Sequence, residues 1–271
     1  MSDLPSLLLV AREAVNKAKN RVLAAPAKTV QSKGDRDMVS DVDLAVESEM
    51  REFLAKETPD IGFFGEENGS YGQRREFTWV LDPLDGTANF VNQIPLCGIS
   101  LGLLNNRESV LGVIDLPLLG SQFSAAQKIG SFCDGRQVSA SEKSQLRDAI
   151  VSIGDYAVGA DAETKNLVRL EVTRLLSERA QRVRMLGSAA IDLAWVAAGK
   201  LDASIMLVNN AWDTAAGVVI AREAGALVLD LDGSAHNECS AATIAVAPRL
   251  RDEVLMLIRD ATQRQGDPFS S

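Results

Sequence analysis

Residues 79–90 join an apolar run to an abrupt acidic turn, in the order Trp-Val-Leu-Asp-Pro-Leu-Asp-Gly-Thr-Ala-Asn-Phe. The apolar part predicts a buried strand. Asp82 and Asp85 can both reach the end of that strand, where an open acidic pocket holds hard divalent cations well. An ordinary Asx-capped turn has the same sequence pattern, so this segment alone leaves a metal site and a plain turn open.

Three further acidic segments accompany this turn. Glu66 and Glu67 follow the apolar run 61–64, and Asp213 opens an alanine-rich helix. The third segment, residues 37–43, is Asp-Met-Val-Ser-Asp-Val-Asp. A Glu pair in a loop is usually solvated and an Asp before a helix is usually an N-cap, so each segment also has a plain structural explanation. The joint occurrence of all four at suitable separations makes the pattern specific.

In this order the four segments resemble the inositol monophosphatase family of magnesium-dependent, lithium-sensitive phosphatases, from about residue 10 to about residue 260. The resemblance implies an α/β fold of the two-lobed α+β kind, a five-layer αβαβα sandwich with the metals between the lobes. It also implies two to three Mg²⁺ ions per active site, held by four carboxylates and one backbone carbonyl: Glu66, Asp82, Leu84, Asp85 and Asp213. The first three residues of that set would hold one ion and the three aspartates a second, and a third, looser ion would also touch Glu66.

The same resemblance implies which residues act on water and on substrate. Asp43 would orient the hydroxyl of Thr87, which with Glu66 would position and deprotonate the attacking water. The implied substrate contacts lie in the acidic turn, in a Gly-Ser-Ala segment and around the second-lobe ligand: Leu84, Asp85, Gly86, Thr87, Gly187, Ser188, Ala189, Met206 and Asp213. A helix N-cap with small packing residues is the alternative interpretation of residues 187–189.

The chemistry of phosphomonoester hydrolysis supports these roles on physical grounds. The reaction needs an in-line nucleophile, neutralised phosphoryl oxygens and a stabilised leaving alkoxide, and two metals about 3.5–4 Å apart supply all three. Two divalent ions neutralise four carboxylates, and a third leaves a site that attracts a phosphate dianion. Gly86 and Thr87 lie where the strand should turn into a helix, so their N–H groups can also receive phosphate oxygens.

Substrate choice is the least specified property of the sequence. Many inositol monophosphatases carry a Glu at the position that Met206 occupies here, seven residues before Asp213. A thioether cannot replace a charge-assisted acceptor, so we expect weaker selection for the inositol ring through this residue. The sequence predicts a phosphomonoesterase for a small polyol or sugar phosphate, with myo-inositol 1-phosphate first. Histidinol phosphate, fructose 1,6-bisphosphate and 3′-phosphoadenosine 5′-phosphate stay as alternatives, as does a noncatalytic regulatory protein on this fold.

Composition and charge exclude several other classes. A formal charge of −9 without a Lys/Arg-rich tract argues against a nucleic-acid surface. Three scattered cysteines argue against disulfides and structural zinc, and are expected to be packing residues in a reducing compartment. The first thirty residues show neither a signal sequence nor a membrane span, so the cytoplasm is the expected location. The one histidine, His236, is expected at the surface and disfavours phosphohistidine chemistry.

The hydrophobic pattern predicts two lobes. Residues 1–142 should pack helices on an antiparallel or mixed sheet and carry most metal ligands, whereas alternating strands and helices over 143–271 predict an α/β lobe with Asp213 and the substrate loop.

Lys33 is expected to be solvated, with a positive charge over the site as the alternative. A haloacid-dehalogenase phosphatase fits poorly, because its D-x-D motif normally lies near the start of the domain. The resemblance implies a homodimer that binds a small-molecule phosphate, with neither nucleic acid nor membrane as a partner.

The same pattern predicts the individual elements. The strands are expected at 61–64, 78–82, 98–104, 109–116, 121–126, 149–153, 182–185, 202–207, 226–229 and 243–246. The helices are expected at 4–23, after a turn at 41–43, and at 162–178, 188–198, 213–224 and 249–263. Asn105-Asn106 should form a hairpin turn.

Overall fold

The computed structural model describes residues 3–24, 29–34, 37–71 and 75–265. Its helices and strands in chain order are α1 (Leu4–Ala24), β1 (Val30–Gly34), β2 (Asp37–Ser40), α2 (Asp41–Glu57), β3 (Gly62–Gly65), β4 (Gly69–Tyr71), β5 (Phe77–Asp85), α3 (Thr87–Val91), β6 (Gly98–Asn105), β7 (Glu108–Leu116), β8 (Ser121–Ala126), β9 (Gly130–Cys133), β10 (Arg136–Gln137), β11 (Ile150–Ile153), α4 (Ala162–Arg179), β12 (Arg182–Arg184), α5 (Ala189–Ala197), β13 (Ala203–Met206), α6 (Ala211–Glu223), β14 (Leu227–Leu229), β15 (Thr243–Val246) and α7 (Arg251–Gln265). The tail after residue 265, which the sequence suggests is frayed, lies outside the described residues.

An eight-stranded mixed sheet forms the first half of the molecule, in the order β10-β9-β8-β7-β6-β5-β3-β4. Only the pair β3 and β5 is parallel among these neighbours. Helices α1 and α2 cover one face, because their apolar residues recur at helical spacing and lie on one side. Trp79 and Leu101 of the sheet pack there against Val15 and Met50 of the helices.

A second, five-stranded sheet lies on the other side of helices α5 and α6, in the order β12-β11-β13-β15-β14. The apolar cluster between the two sheets contains Phe123 from β8, Leu193 from α5, Ile220 from α6 and Val228 from β14. Helices α4 and α7 cover the outer face of the five-stranded sheet. The order is therefore helix, sheet, helix, sheet, helix, and it confirms the five-layer αβαβα fold.

A pair of glycines lets α6 lie directly on the eight-stranded sheet. Gly102 of β6 and Gly112 of β7 face each other across the ladder. A Cβ on Gly102 would come 2.7 Å from the Ala215 side chain, and one on Gly112 would come 2.4 Å from the Ala216 carbonyl oxygen. The missing side chains permit a close helix–sheet approach. The helix that carries Asp213 is thereby seated on the sheet of the first half.

The predicted strands and helices are present within a few residues, and Asn106 forms the hairpin turn between β6 and β7 with a φ of 56°. The expected turn at 41–43 is wrong, since these residues are the first turn of α2. Ser40 caps that helix with its side chain, and the Asp43 carboxylate accepts the Ser40 N–H at 2.9 Å. The pattern also gave no indication of the β1–β2 hairpin. The lobe boundary between residues 142 and 143 stays a prediction.

Two expectations about side-chain exposure are wrong. His236 is 3% exposed rather than at the surface, and its Nε2 lies 3.0 Å from Thr243 Oγ1. Burial, with a smaller effect of the Arg222 charge, lowers the pKa of His236 to about 4. Cys97 is buried as expected, but Cys239 is exposed.

No helix within the described residues has the length and apolar character that crossing a bilayer requires.

Candidate active site

The parallel pair β3 and β5 brings two acidic segments to one edge of the eight-stranded sheet. Gly65 pairs with Leu81, and the Glu66 N–H donates to the Leu81 carbonyl at 3.0 Å. Parallel strands end at the same edge, so the residues that follow these two are neighbours. Glu66 therefore begins beside Asp82.

The ladder between β5 and β6 is irregular at the acidic turn. Asp82 pairs with Ser100 and Asp85 with Gly98, so β5 has one extra residue between these pairs. Pro83, which lacks an N–H, lies within this bulge. Asp82 Oδ1 accepts the Leu84 N–H at 2.9 Å, which fixes the turn locally. The bulge keeps both aspartates at the end of the strand, and both are buried.

Asp213 arrives from the second half of the chain in the first turn of α6. Trp212 packs edge-on against Phe64 of β3, with ring centroids 5.4 Å apart, and so holds this end of α6 next to the strand that precedes Glu66. The Asn210 amide donates to Asp213 Oδ2 at 3.0 Å. The helix start is thus held at the sheet edge that carries the other acidic residues.

The charges of these carboxylates act on one another. Burial, followed by the charges of Glu66, Asp85 and Asp213, raises the pKa of Asp82 well above its ordinary value. Burial also raises the pKa of Asp85 to about 6, against hydrogen bonds that lower it. The pKa of Asp213 rises to about 8, first through burial and then through the charges of Asp85 and Glu66. The structure therefore brings together the four acidic residues that the sequence singled out.

The carboxylate oxygens of this cluster are suitable ligands for Mg²⁺, although in this structure they accept hydrogen bonds from protein groups. Within the described part of the chain, no three His, Cys, Asp or Glu side chains are arranged as a metal-holding group. Each carboxylate instead accepts a nearby donor: Glu66 from Lys33, Asp82 from Leu84, Asp85 from Ser188 and Ala190, and Asp213 from Asn210. All four carboxylates offer hard oxygen ligands, and a bound cation relieves the repulsion between their negative charges.

Asp43 and Thr87 form a hydrogen-bonded pair next to this cluster. Thr87 Oγ1 lies 2.9 Å from Asp43 Oδ1 and 3.1 Å from the Leu84 carbonyl oxygen. The other oxygen of Asp43 accepts the backbone N–H and the hydroxyl of Ser40. Asp43 is fully buried, so its carboxylate is fixed toward Thr87.

The Gly-Ser-Ala segment meets the acidic turn at the start of α5. Ser188 is the N-cap of this helix and accepts the Ile191 N–H at 3.2 Å. Asp85 Oδ2 in turn accepts the Ser188 hydroxyl and the Ala190 N–H, each at 2.6 Å. Gly187 adopts a φ of 68°. The segment is a helix cap and also a direct neighbour of the acidic cluster.

A sequence profile of the inositol monophosphatase family matches residues 3–264. The chain belongs to the inositol monophosphatase family. It is 34% identical over 257 residues to an inositol-1-monophosphatase, ImpA, of Mycolicibacterium smegmatis, covering 94% of this chain and 93% of that protein. It is 33% identical over 233 residues to a fructose-1,6-bisphosphatase/inositol-1-monophosphatase of Thermotoga maritima, covering 86% and 87%. The crystal structure of the extragenic suppressor protein suhB of Bartonella henselae matches with a TM-score of 0.87 at 29% identity, covering 94% and 98%.

Membership of the inositol monophosphatase family makes this protein a hydrolase of phosphomonoesters, as the sequence predicts. The family is generally Mg²⁺-dependent, in agreement with the oxygen donor set described above. The individual roles of the site residues stay predictions. Among them Met206 is 4% exposed at the end of β13, with its side chain beside Gly154.

Two further residues of this chain lie at the site. Lys33 is not a solvated lysine, because its Nζ lies 2.7 Å from Glu66 Oε1 and 3.0 Å from Glu67 Oε1. Glu47 is buried beneath the residues that follow β3. The sequence indicates Glu47 only through its i,i+4 spacing from Asp43, which places both carboxylates on one face of α2.

Replacing Gly86 by Ala is expected to destabilise the protein by about 2 kcal/mol or more. Gly86 has a φ of 87°, and a Cβ there would lie 2.8 Å from the Leu96 carbonyl oxygen and 3.1 Å from that of Gly187. Gly120→Ala is the matched control, since Gly120 has a φ of 65° but open space around its Cβ position. Urea denaturation of both variants would measure the two losses, and equal losses would contradict a close contact at Gly86.

Proposed function

We propose that this protein is a Mg²⁺-dependent phosphomonoesterase of small polyol or sugar phosphates, with myo-inositol 1-phosphate as the first candidate substrate. The observation that carries the proposal is the convergence of four carboxylates from both halves of the chain: Glu66, Asp82, Asp85 and Asp213. Such a cluster repels a phosphate dianion unless cations neutralise it. The inositol-1-monophosphatase from Mycolicibacterium smegmatis supports the same substrate class by its similarity.

Two to three ions would be held by these four carboxylates together with the Leu84 carbonyl. When bound, Mg²⁺ neutralises phosphoryl oxygens, stabilises the leaving alkoxide and makes water more acidic. The protein itself supplies the fixed geometry, because Asp82 and Asp85 are buried at a strand end. The N–H groups of Gly86 and Thr87 are the proposed receivers of phosphate oxygens.

The Asp43–Thr87 pair is proposed to orient the attacking water. Because Asp43 is fixed by Ser40, the Thr87 hydroxyl can donate to Asp43 and direct a lone pair toward a water proton. Glu66 is proposed to accept a hydrogen bond from the other proton of that water. As the water oxygen bonds to phosphorus, a proton of the water passes to the Glu66 carboxylate. The ester P–O bond breaks, and the alcohol oxygen leaves with the bonding pair and takes up a proton from solvent.

Thr87→Ala is expected to lower kcat about a hundredfold while changing KM less than about threefold. The hydroxyl acts on the water and not on the bound ester, so its loss affects the transition state more than substrate binding. Thr87→Ser keeps the hydroxyl and serves as the control, with a kcat near that of the wild type. Steady-state kinetics at saturating Mg²⁺ measure both constants. A rise in KM at unchanged kcat would show instead that Thr87 binds substrate.

A panel of small phosphate monoesters, assayed with Mg²⁺ and with EDTA, tests the proposed function. Hydrolysis of myo-inositol 1-phosphate at the highest kcat/KM, abolished by EDTA, is the expected result. Failure to hydrolyse any ester on the panel with Mg²⁺ present would overturn the enzyme proposal. It would favour the alternative of a noncatalytic regulatory protein on this fold.

Fructose 1,6-bisphosphate is the second candidate substrate. The Thermotoga maritima relative is named for both this activity and inositol-1-monophosphatase activity. Met206 also lacks the carboxylate acceptor that would select the inositol ring. Its absence favours a broader range of sugar-phosphate substrates. Histidinol phosphate and 3′-phosphoadenosine 5′-phosphate belong on the same panel. A homodimeric state and a cytoplasmic location stay predictions.

A further inference from the structure

Glu47 is a buried carboxylate next to the proposed active site that has no role in the chemistry described above. It lies on α2, one turn after Asp43, and is 1% exposed. Its Oε2 accepts the Glu67 N–H at 2.9 Å, and its Oε1 accepts the N–H and the side-chain amide of Asn68 at 3.1 and 2.7 Å. Three donors thus satisfy a charge that would be costly to bury alone.

The backbone of β3 is shaped around this carboxylate. A Cβ on Gly65 would lie 2.3 Å from Glu47 Oε2 and 2.5 Å from its carboxyl carbon. These are approaches that real Cβ atoms do not show, so residue 65 is glycine where the carboxylate lies against the chain. Glu47 therefore contacts the strand end directly and does not only cap a distant loop.

The contacts of Glu47 hold the residues on the C-terminal side of Glu66. On the other side, the Glu66 N–H is bound to the Leu81 carbonyl at 3.0 Å. The backbone of Glu66 is thus fixed from both directions, and this sets the direction in which its side chain leaves the chain. Charge-assisted bonds from backbone N–H groups are strong and directional, so they fix this orientation well.

We propose that Glu47 is a positioning residue, which aims Glu66 at the Mg²⁺ site by fixing the backbone of Glu67 and Asn68. The inference rests on the proposed function of the carboxylate cluster. Glu47 would touch neither ion nor substrate. Partners that orient a metal ligand commonly change metal affinity about tenfold to a hundredfold when they are removed.

Glu47→Gln is the first test, because it keeps the side-chain volume but turns an N–H₂ group toward one of the backbone donors. Calorimetric titration with Mg²⁺ is expected to show at least about tenfold weaker binding, and the Mg²⁺ concentration for half-maximal turnover should rise equally. At saturating Mg²⁺, kcat is expected within about threefold of wild type. A purely structural role would lower the melting temperature without changing Mg²⁺ affinity.

Glu49→Gln is the matched control, since Glu49 lies on the same helix with a side chain that is 43% exposed and paired with Arg21. It is expected to bind Mg²⁺ like the wild type. Asn68→Ala provides a second variant, which removes one donor to Glu47 and leaves the buried charge in place. It is expected to weaken Mg²⁺ binding by a smaller factor than Glu47→Gln, and it decides the question if Glu47→Gln does not fold.

Two outcomes separate the proposals. Wild-type protein that binds Mg²⁺ and hydrolyses phosphate esters, with Glu47→Gln and Asn68→Ala showing the same Mg²⁺ affinity, would overturn the role of Glu47 alone. Wild-type protein that neither binds Mg²⁺ nor hydrolyses any ester would overturn both the proposed function and this inference.

Discussion

Asp213→Asn is expected to lower turnover at least about a hundredfold while raising the melting temperature of the metal-free protein. The amide has nearly the same volume as the carboxylate, but it is neutral and a weaker ligand for Mg²⁺. Without metal, the Asp213 charge is unfavourable, because burial and the charges of Asp85 and Glu66 raise its pKa to about 8. Removing that charge relieves repulsion, so activity and stability should change in opposite directions.

This opposition makes the experiment decisive, because partial unfolding would lower both quantities. The measurements are kcat/KM over a series of Mg²⁺ concentrations and the melting temperature in EDTA at pH 8. Asp252→Asn is the matched control, since Asp252 also lies in the first turn of a helix but has a side chain that is 91% exposed. Its helix, α7, covers the outer face of the five-stranded sheet. Near-normal turnover of Asp213→Asn at low Mg²⁺ would contradict its assignment as a ligand.

Much of the fold could be predicted because the relevant information is local. The strands 98–105 and 108–116 are continuous apolar runs joined by Asn105-Asn106, and the turn residue can adopt the positive φ that the hairpin needs. The helices α1 and α2 follow from apolar residues at helical spacing. Short elements were missed, such as β1, whose residues are all exposed and give no periodic pattern.

The meeting of Asp213 with the first-half carboxylates could not be derived from spacing. It depends on α6 lying against β6 and β7, and this approach requires glycine at 102 and 112. Two glycines in separate strands do not indicate which helix will cover them. The family resemblance supplied the expectation that these segments meet, and the structure gives the physical reason.

Side-chain environments depend even more on tertiary contacts. His236 lies in a polar stretch of sequence. Its backbone N–H nevertheless donates to the Val228 carbonyl at 3.2 Å, and its side chain is buried. The sequence does not distinguish Lys33 from a solvated lysine, because its ion pair with Glu66 depends on the β1–β2 hairpin. The spacing of Glu47 from Asp43 predicts a shared helix face, but it does not predict the backbone groups that Glu47 binds. None of these contacts leaves a mark in composition or periodicity.

The stability of the metal-free protein is expected to fall as the pH rises from 6.5 to 8.5. Asp213 has a folded-state pKa of about 8 and that of Glu67 is raised to about 7, whereas unfolded carboxyl groups titrate near 4. Between these values the folded protein holds protons that the unfolded chain has lost, so the free energy of unfolding decreases with pH. His236 acts in the opposite direction between about pH 4 and about pH 6.5, because its folded-state pKa is about 4 and an unfolded histidine titrates near 6.5.

Mg²⁺ should reverse this loss, and most strongly at pH 8.5, because protons compete with the metal for the same carboxylates. At a hundredfold excess over its dissociation constant, one ion stabilises by about 2.7 kcal/mol, which corresponds to roughly 5 °C or more in melting temperature. Thermal melts in EDTA and in Mg²⁺ at pH 6.5 and 8.5 measure both effects. Asp213→Asn should flatten the pH dependence in EDTA, since it removes a carboxyl group whose pKa is raised to about 8. A wild-type protein whose melting temperature is the same at both pH values, with and without Mg²⁺, would show that these carboxylates do not form a shared cation site.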